Sequence, residues 1–165
     1  MGQYICDREK YKFGDGYIYL PLEINNIPKE IKINEYNLSL KSSFHCSLVC
    51  VKRILPEQEA EIIKYFCEFV SNNELSFLNF KNEFRLVKRD DRVSVVVMCE
   101  ISNIEKFFQE LGEKYNTKIE IQPTHVTIYT LQPDKGIGIL DNTELQNISS
   151  LVEVPSEVKS ALSLV

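Results

Sequence analysis

The stretch Phe44-His45-Cys46-Ser47-Leu48-Val49 has a counterpart later in the chain. Its pattern is repeated by Thr124-His125-Val126-Thr127-Ile128-Tyr129. Each stretch places a hydroxyl residue two positions after a histidine and then continues with apolar residues. The chain of 165 residues contains only two histidines, and each begins one of these motifs. Both stretches are rich in residues that favour β-structure, so they predict two similar strands.

The spacing within each motif has a chemical consequence. Side chains alternate between the two faces of a strand, so His45 and Ser47 share one face, as do His125 and Thr127. Imidazole titrates near neutral pH, so one ring can accept a proton while the other donates one. The hydroxyl groups can hold nonbridging phosphate oxygens. If both strands face one cleft, these groups suit in-line attack at a phosphodiester without a metal ion.

The two H-x-[S/T] motifs resemble those of the 2H phosphoesterase superfamily, which includes 2′–5′ RNA ligase-like and 2′,3′-cyclic phosphodiesterase proteins. The resemblance implies that His45 and His125 are catalytic, that Ser47 and Thr127 bind the substrate phosphate, and that no cofactor is needed. It implies an α+β, two-lobed fold in which antiparallel sheets line a central cleft and helices pack outside. Many members carry a basic residue shortly after the second motif, where this chain has Thr130.

Three tyrosines are candidates for contact with a nucleobase. Tyr129 lies two residues beyond Thr127, so strand alternation places it on the catalytic face, where it would stack on a base or bind a phosphate. A packing role against a neighbouring strand is the alternative. Tyr17 and Tyr19 share one face of an earlier predicted strand and are weaker candidates for base stacking.

Several residues near the motifs are candidates for an additional phosphate contact. Lys52, Arg53 and Lys135 would replace the missing basic residue, although each also fits a solvated surface position. Gly136 and Gly138 would let backbone amides approach a phosphate, or would simply form a turn. A basic cluster is interpreted as the surface of a hairpin, with an RNA strand lying across it as the alternative: Arg85, Lys88, Arg89 and Arg92.

The charge and composition narrow the class of partner. The net charge is −5, and broad nonspecific binding of long nucleic acids relies on basic surfaces. A nucleotide, an oligonucleotide or an RNA end is therefore the expected substrate, and we expect a monomer. No stretch has the roughly 18 apolar residues of a membrane span. Residues 1–13 are polar and charged, so we expect no signal peptide, no membrane association and a cytoplasmic protein.

The cysteines fit an intracellular protein. There are five, with no C-x-x-C pair: Cys6, Cys46, Cys50, Cys67 and Cys99. Their odd number and spacing favour free thiols that behave as small buried hydrophobic residues. The histidines are not at metal-ligand spacing from any cysteine, so we expect no metal site.

One domain, 1–165, is the economical prediction, with residues 1–16 as a loose lead-in and 25–43 unassigned. We predict strands, the first placed near an edge by Pro21, over 17–22, 44–51, 84–88, 93–101, 124–131 and 151–154. Predicted helices begin near Leu55 and Asn103, and Asp141 caps a short helix through Ile148. Between 44 and 131 the order strand–helix–strand–strand–helix–strand is a split β-α-β pattern. Residues 132–139 are predicted as a loop and 155–165 as a tail.

The function favoured by these observations is a metal-independent phosphodiesterase that acts on a 2′,3′-cyclic phosphate or a 2′–5′ linkage of a nucleotide or RNA end. An alternative within the same chemistry is the degradation of cyclic or 2′–5′ oligonucleotide signals. An alternative of another class is a catalytically inactive nucleotide- or RNA-binding module. The sequence leaves open which histidine is the acid and whether the reaction is hydrolysis or ligation.

Overall fold

The computed structural model describes residues 10–164, which form an α+β fold. The strands are β1 (Lys12–Gly14), β2 (Tyr17–Leu22), β3 (Glu30–Ile33), β4 (Tyr36–Leu40), β5 (Phe44–Val49), β6 (Phe77–Arg89), β7 (Arg92–Ile101), β8 (His125–Thr130) and β9 (Ser149–Leu151). The helices are α1 (Val51–Ile54), α2 (Glu59–Asn72), α3 (Ile104–Lys114), α4 (Asn142–Ile148) and α5 (Ser156–Ala161). A 3-10 turn, Pro56–Gln58, precedes α2.

The described strands form one open sheet in the order β1-β2-β5-β8-β7-β6-β9, and the β3–β4 hairpin joins it where β4 pairs with β8. All these pairings are antiparallel. The sequence predicts antiparallel sheets, whereas the described strands form a single sheet. The two motif strands pair directly, with Cys46 opposite Val126. Both halves of the chain therefore belong to the same sheet.

The centre of the sheet follows from apolar sequence. Residues 93–99 of β7 are buried throughout, as expected for a strand covered on both faces. The β6–β7 hairpin was predicted, and its turn places Asp90 in the left-handed region with φ 56°. β6 begins at Phe77, earlier than predicted. β7 can therefore serve as a rigid neighbour for the second motif strand.

Helices α2 and α3 close one face of the sheet. Their apolar stripes meet at Phe107, which makes edge-to-face contacts with Phe66, Phe69 and Phe108 at ring-centroid distances of 5.3–5.6 Å. Such aromatic pairs stabilise a core beyond the apolar area they bury. Cys46, Val126 and other residues that alternate with the motif side chains pack beneath these helices. The motif side chains therefore lie on the opposite face.

That opposite face is only partly covered. A second, smaller apolar cluster packs the loop after β8 and α4 against β6 and β7: Val87, Val96, Met98, Ile137, Ile139 and Leu145. The cover reaches the β7 side of the sheet and leaves a cleft above β5 and β8. The position of the cleft is thus a result of where this loop packs.

The first part of the chain is more ordered than predicted. Tyr11 is buried, and its hydroxyl donates to the Leu75 carbonyl. β1 then pairs with β2 through Tyr17–Tyr19, so the predicted loose lead-in is wrong for residues 10–16; residues 1–9 lie outside the described part. On one side, Pro21 pairs with His45 of β5. On the other side, the pairing of β2 with β1 stops at Tyr19, which agrees with the predicted edge setting of Pro21.

Other boundaries shift modestly. Asp141 caps α4 as predicted, its Oδ1 accepting from the Glu144 N–H at 2.8 Å. Asn103 precedes α3, but its side chain donates to the Glu74 carbonyl and does not cap the helix. The predicted strand 151–154 lies two residues earlier, as β9. The unassigned segment 25–43 contains the β3–β4 hairpin.

The cysteine predictions have a mixed outcome. Cys46, Cys50 and Cys99 are buried and free. Cys67 is also buried but is disulfide-bonded, so the expectation of free thiols is wrong there. Cys6 lies outside the described residues. The three free thiols sit on or beside the central strands, where they act as small apolar side chains.

Candidate functional site

The four motif residues come together on the open face of the sheet. β5 and β8 run antiparallel with Cys46 opposite Val126. This register places His45 across from Thr127 and Ser47 across from His125. Directly opposed side chains have Cβ atoms about 4.5–5.5 Å apart, and diagonal ones about 7–8 Å. The two imidazoles therefore stand diagonally, each beside the other motif's hydroxyl, with room between them for one phosphoryl group.

Both motif strands carry a bulge directly after the hydroxyl residue. In β5, Ser47 pairs with Tyr19 and Val49 with Ile18, so Leu48 is the extra residue. In β8, Thr127 pairs with Val96 and Tyr129 with Val95, so Ile128 is the extra residue. A bulge increases the local twist and reverses which face the next side chain meets. The repeated sequence pattern thus corresponds to a repeated backbone irregularity.

The bulge in β8 overturns the prediction for Tyr129. Beyond Ile128 the alternation of faces shifts by one residue, and Tyr129 turns into the helix-covered core instead of the cleft. Its side chain is fully buried, and its hydroxyl donates to the Pro28 carbonyl at 2.6 Å. Burial raises its pKa to about 12. Tyr129 has the packing role, and the predicted base-stacking position is wrong.

His125 is held firmly. Its ring is only 6 % exposed, and Nδ1 lies 2.9 Å from the Pro123 carbonyl. A carbonyl can only accept, so Nδ1 carries the proton and Nε2 is the nitrogen left for chemistry. Burial lowers the pKa of His125, whereas the hydrogen bond to Pro123 opposes that shift because it stabilises the charged ring.

His45 lies in a different environment. It is half-buried, and its ring packs against that of Tyr19 with centroids 4.8 Å apart. Burial lowers the pKa of His45 to about 4, and the positive charge of Lys41 and the neighbouring His125 add to the effect. His45 is therefore neutral over most of the physiological range, which suits a proton acceptor.

The cleft is positively charged at its rim. Lys41, Lys52 and Arg92 line it. Burial lowers the pKa of Lys41, although Asp134 opposes that shift. Lys52, a candidate from the sequence, lines the cleft. Lys41 precedes β5 and carries no motif of its own, so the sequence gives no signal for it. Tertiary structure alone places its charge beside His45.

Two of the predicted basic residues do not line the cleft. Arg53 instead forms an ion pair with Glu144, at 2.8 Å between Nη2 and Oε2. Arg53, followed by Arg89, lowers the pKa of Glu144 to about 2. Lys135 is exposed on the loop after β8, outside the set of cleft-lining residues. Neither of these two side chains lines the cleft, so their contact with a phosphate stays a prediction.

The loop over residues 134–139 forms the third wall of the cleft. Asp134 accepts from the backbone N–H and hydroxyl of Ser42, and Arg92 and Arg89 donate to the carbonyls of Gly136 and Gly138. These contacts tie the loop to both sides of the cleft. The basic hairpin cluster thus serves in part to anchor this loop.

The two glycines of this loop lie close to cleft side chains. A Cβ on Gly136 would be 3.8 Å from Thr127 Oγ1, an ordinary contact, whereas one on Gly138 would be 2.5 Å from the Tyr17 hydroxyl. Glycine at 138 therefore lets the loop approach Tyr17 closely. Tyr17 and Tyr19, the weaker aromatic candidates from the sequence, are the tyrosines that line the cleft.

The cleft has a volume of about 690 Å³, within the range of roughly 300–1,000 Å³ typical of small-molecule sites. A larger hollow of about 940 Å³ runs along β6, β7 and α3, and neither histidine lines it. The smaller cleft holds the paired imidazoles, hydroxyls and cations. Between residues 10 and 164 no three His, Cys, Asp or Glu side chains cluster as a metal-binding group.

Comparison with known proteins gives no further guidance: no protein-family model, curated protein or solved structure matches this chain. Within the described residues, no helix is both long enough and apolar enough to cross a membrane.

Proposed function

We propose that this protein is a phosphodiesterase of the two-histidine type, with the two-lobed architecture of the 2H phosphoesterases, acting without a metal ion on a nucleotide or RNA-end phosphodiester. The observation that carries the proposal is the β5–β8 register, which opposes His45 to Thr127 and Ser47 to His125. A phosphoryl group between these strands would meet a proton-transfer group on each side and a hydroxyl donor beside each imidazole.

We assign the roles from the two environments. Burial and the charge of Lys41 keep His45 neutral, so His45 takes the proton of the attacking water as its oxygen bonds to phosphorus. Burial lowers the pKa of His125, and the Pro123 carbonyl opposes that shift because it stabilises the charged ring. In its protonated form His125 gives its Nε2 proton to the leaving oxygen as the P–O bond breaks. Protons then exchange with solvent, which restores the starting states.

The remaining side chains suit a small anionic substrate. Ser47 and Thr127 donate to nonbridging oxygens, and Lys41 and Arg92 lower the cost of developing negative charge. A cleft of about 690 Å³ accommodates a nucleotide or an oligonucleotide end better than a long duplex. For 2′,3′-cyclic phosphates this chemistry is hydrolysis to a phosphomonoester.

A substrate screen tests the proposal. Wild-type protein and the double variant His45→Ala/His125→Ala would be incubated with 2′,3′-cyclic nucleotides, 2′–5′ and 3′–5′ dinucleotides and cyclic dinucleotides, each with and without a chelator. We expect turnover of at least one phosphodiester by the wild type, insensitive to chelator and lost in the double variant. Wild-type protein that binds these compounds and turns over none of them would favour the inactive binding module. Activity that disappears with chelator and returns with zinc or manganese would exclude a metal-independent mechanism.

A further inference from the structure

We infer that Gln122 is a substrate-contacting residue of this cleft, its side-chain N–H donating to a phosphoryl oxygen at the end formed by Ser47 and His125. The inference rests on the proposed function for the identity of the ligand as a phosphate ester. It assigns a fifth group to the site, outside the two motifs and three residues before the second histidine.

The orientation of the Gln122 carboxamide is fixed. The side chain is 1 % exposed, and its Oε1 accepts a hydrogen bond from the Cys50 backbone N–H at 2.8 Å. An N–H group requires an acceptor, so the oxygen must face Cys50 and the NH₂ group must point elsewhere. The two N–H donors are therefore held in place before any ligand binds.

The position of the carboxamide follows from the same register as the motifs. Cys50 lies three residues after Ser47, and Gln122 lies three residues before His125, so both approach the Ser47–His125 end of the cleft. Gln122 lines this cleft together with both histidines and both motif hydroxyls. It also borders the larger hollow, but the bond to Cys50 holds the carboxamide on the β5 side.

The NH₂ group lacks an acceptor. No residue between 10 and 164 accepts a hydrogen bond from Gln122 Nε2, and burying an unpaired donor is costly. Ser94 and Thr130 also have unpartnered buried hydroxyls, but they pair across the β7–β8 ladder and neither lines the cleft. The carboxamide of Gln122 is held by Cys50 and lines the cleft.

The chemistry of this donor selects an anionic oxygen. Hydrogen bonds to charged acceptors are stronger than those between neutral groups, and a phosphoryl oxygen between Ser47 and His125 is the anionic acceptor that the proposed substrate brings there. An amide adds no charge, so it does not oppose protonation of the neighbouring His125 as a lysine would. A neutral donor thus fits the end of the cleft where the acid stands.

Binding measurements separate this contact from catalysis. Gln122→Glu keeps an acceptor for Cys50 while removing the N–H donors at neutral pH, and Gln122→Met removes both polar atoms with little change in length. Gln109→Glu, on the exposed face of α3, is the matched control for the added charge. The probes are adenosine 2′-monophosphate, adenosine 3′-monophosphate and unphosphorylated adenosine, measured by calorimetry, with thermal unfolding of each variant as the check on folding.

The loss of one hydrogen bond to a charged group predicts about ten- to a hundredfold weaker binding of the monophosphates by both Gln122 variants. Binding of adenosine should be unchanged, and Gln109→Glu should resemble the wild type. Unchanged monophosphate affinity in a folded Gln122→Met or Gln122→Glu variant overturns the inference. An equal loss for adenosine also overturns it, because the contact would then be to the nucleoside. A wild-type protein that binds neither monophosphate likewise overturns the inference.

Failure of this inference and failure of the proposed function give different results. A wild-type protein that turns over no phosphodiester but binds the monophosphates in a Gln122-dependent way supports the contact and excludes the catalytic proposal. Turnover of a phosphodiester, together with normal monophosphate binding by the Gln122 variants, supports the catalytic proposal and excludes the contact.

Discussion

The two motif strands, β5 and β8, have the same pattern and different surroundings. Each offers a histidine and a hydroxyl to the cleft and then bulges at the following residue, Leu48 in one and Ile128 in the other. The β8 histidine is almost fully buried and bonded to Pro123, whereas the β5 histidine is half-buried, packs on Tyr19 and lies near Lys41. Two similar motifs thus have different surroundings, although burial lowers the pKa of the histidine in both.

The largest expected effect comes from removing either histidine. His45→Ala and His125→Ala should each lower the rate by about 10²–10⁴-fold. The double variant should lose much less than the product of the two losses, because the members of one catalytic unit are not additive. Ser47→Ala and Thr127→Ala should cost less, since each removes one neutral donor. The measurement is kcat/KM on the same substrate for each variant, with circular dichroism as the test of folding.

The leaving group distinguishes the two histidines. A p-nitrophenyl ester of a nucleoside phosphate releases an anion that needs no proton. The loss in His125→Ala should therefore shrink on this substrate while the loss in His45→Ala persists. The opposite result would exchange the two roles, and a folded single variant with wild-type rate would remove the two-histidine mechanism altogether.

The second expected effect contrasts a cleft tyrosine with its buried counterpart. If the Tyr19 ring stacks on a base, which is worth about 1–3 kcal/mol, Tyr19→Ala raises KM about 5- to 150-fold and Tyr19→Phe leaves it nearly normal. Tyr129→Phe loses the bond to Pro28 and should lower the free energy of unfolding by about 0.5–1.5 kcal/mol without changing KM. Steady-state kinetics and urea unfolding measure the two quantities. A raised KM in Tyr129→Phe would contradict the core position of that side chain.

The pH profile tests the assignment directly. In the free protein His45, with its pKa near 4, is deprotonated above that pH, and the lowered pKa of His125 means that it loses its proton below the ordinary value of about 6.5. The profile of kcat/KM should therefore be a bell whose maximum lies below about pH 6.5. An optimum above pH 7 would show that the free-state environments do not set the roles.

The smallest expected effect is a shift of one limb of that bell. Lys41→Met removes a positive charge beside His45, so the pKa of His45 rises toward its ordinary value and the acidic limb moves to higher pH. The alkaline limb, which belongs to His125, should stay in place. Lys135→Met, an exposed residue outside the cleft lining, is the control and should move neither limb. Movement of both limbs in Lys41→Met would show that Lys41 does not discriminate between the histidines.

Much of the fold follows from local sequence. Periodicity and turn residues located β2, β5, β7, β8, α2 and α3 to within a few residues, and Asp141 identified the start of α4. The sequence also identified the four motif residues that the structure places along one cleft. These features are readable because alternation within a strand and the apolar stripe of a helix depend only on neighbours along the chain.

The features that the sequence does not predict were decided by contacts between distant segments. Tyr129 left the predicted face because the pairing of β8 with β7 gains a residue at Ile128, and the sequence of β8 alone does not show a register shift. Lys41 reached His45 through the packing of the β3–β4 hairpin against β8. Gln122 became a fixed donor only through its bond to Cys50. The sequence by itself determined which imidazole and hydroxyl groups the two motif strands carry; the tertiary structure determined how their neighbours tune them, because burial and charge act through space and not along the chain.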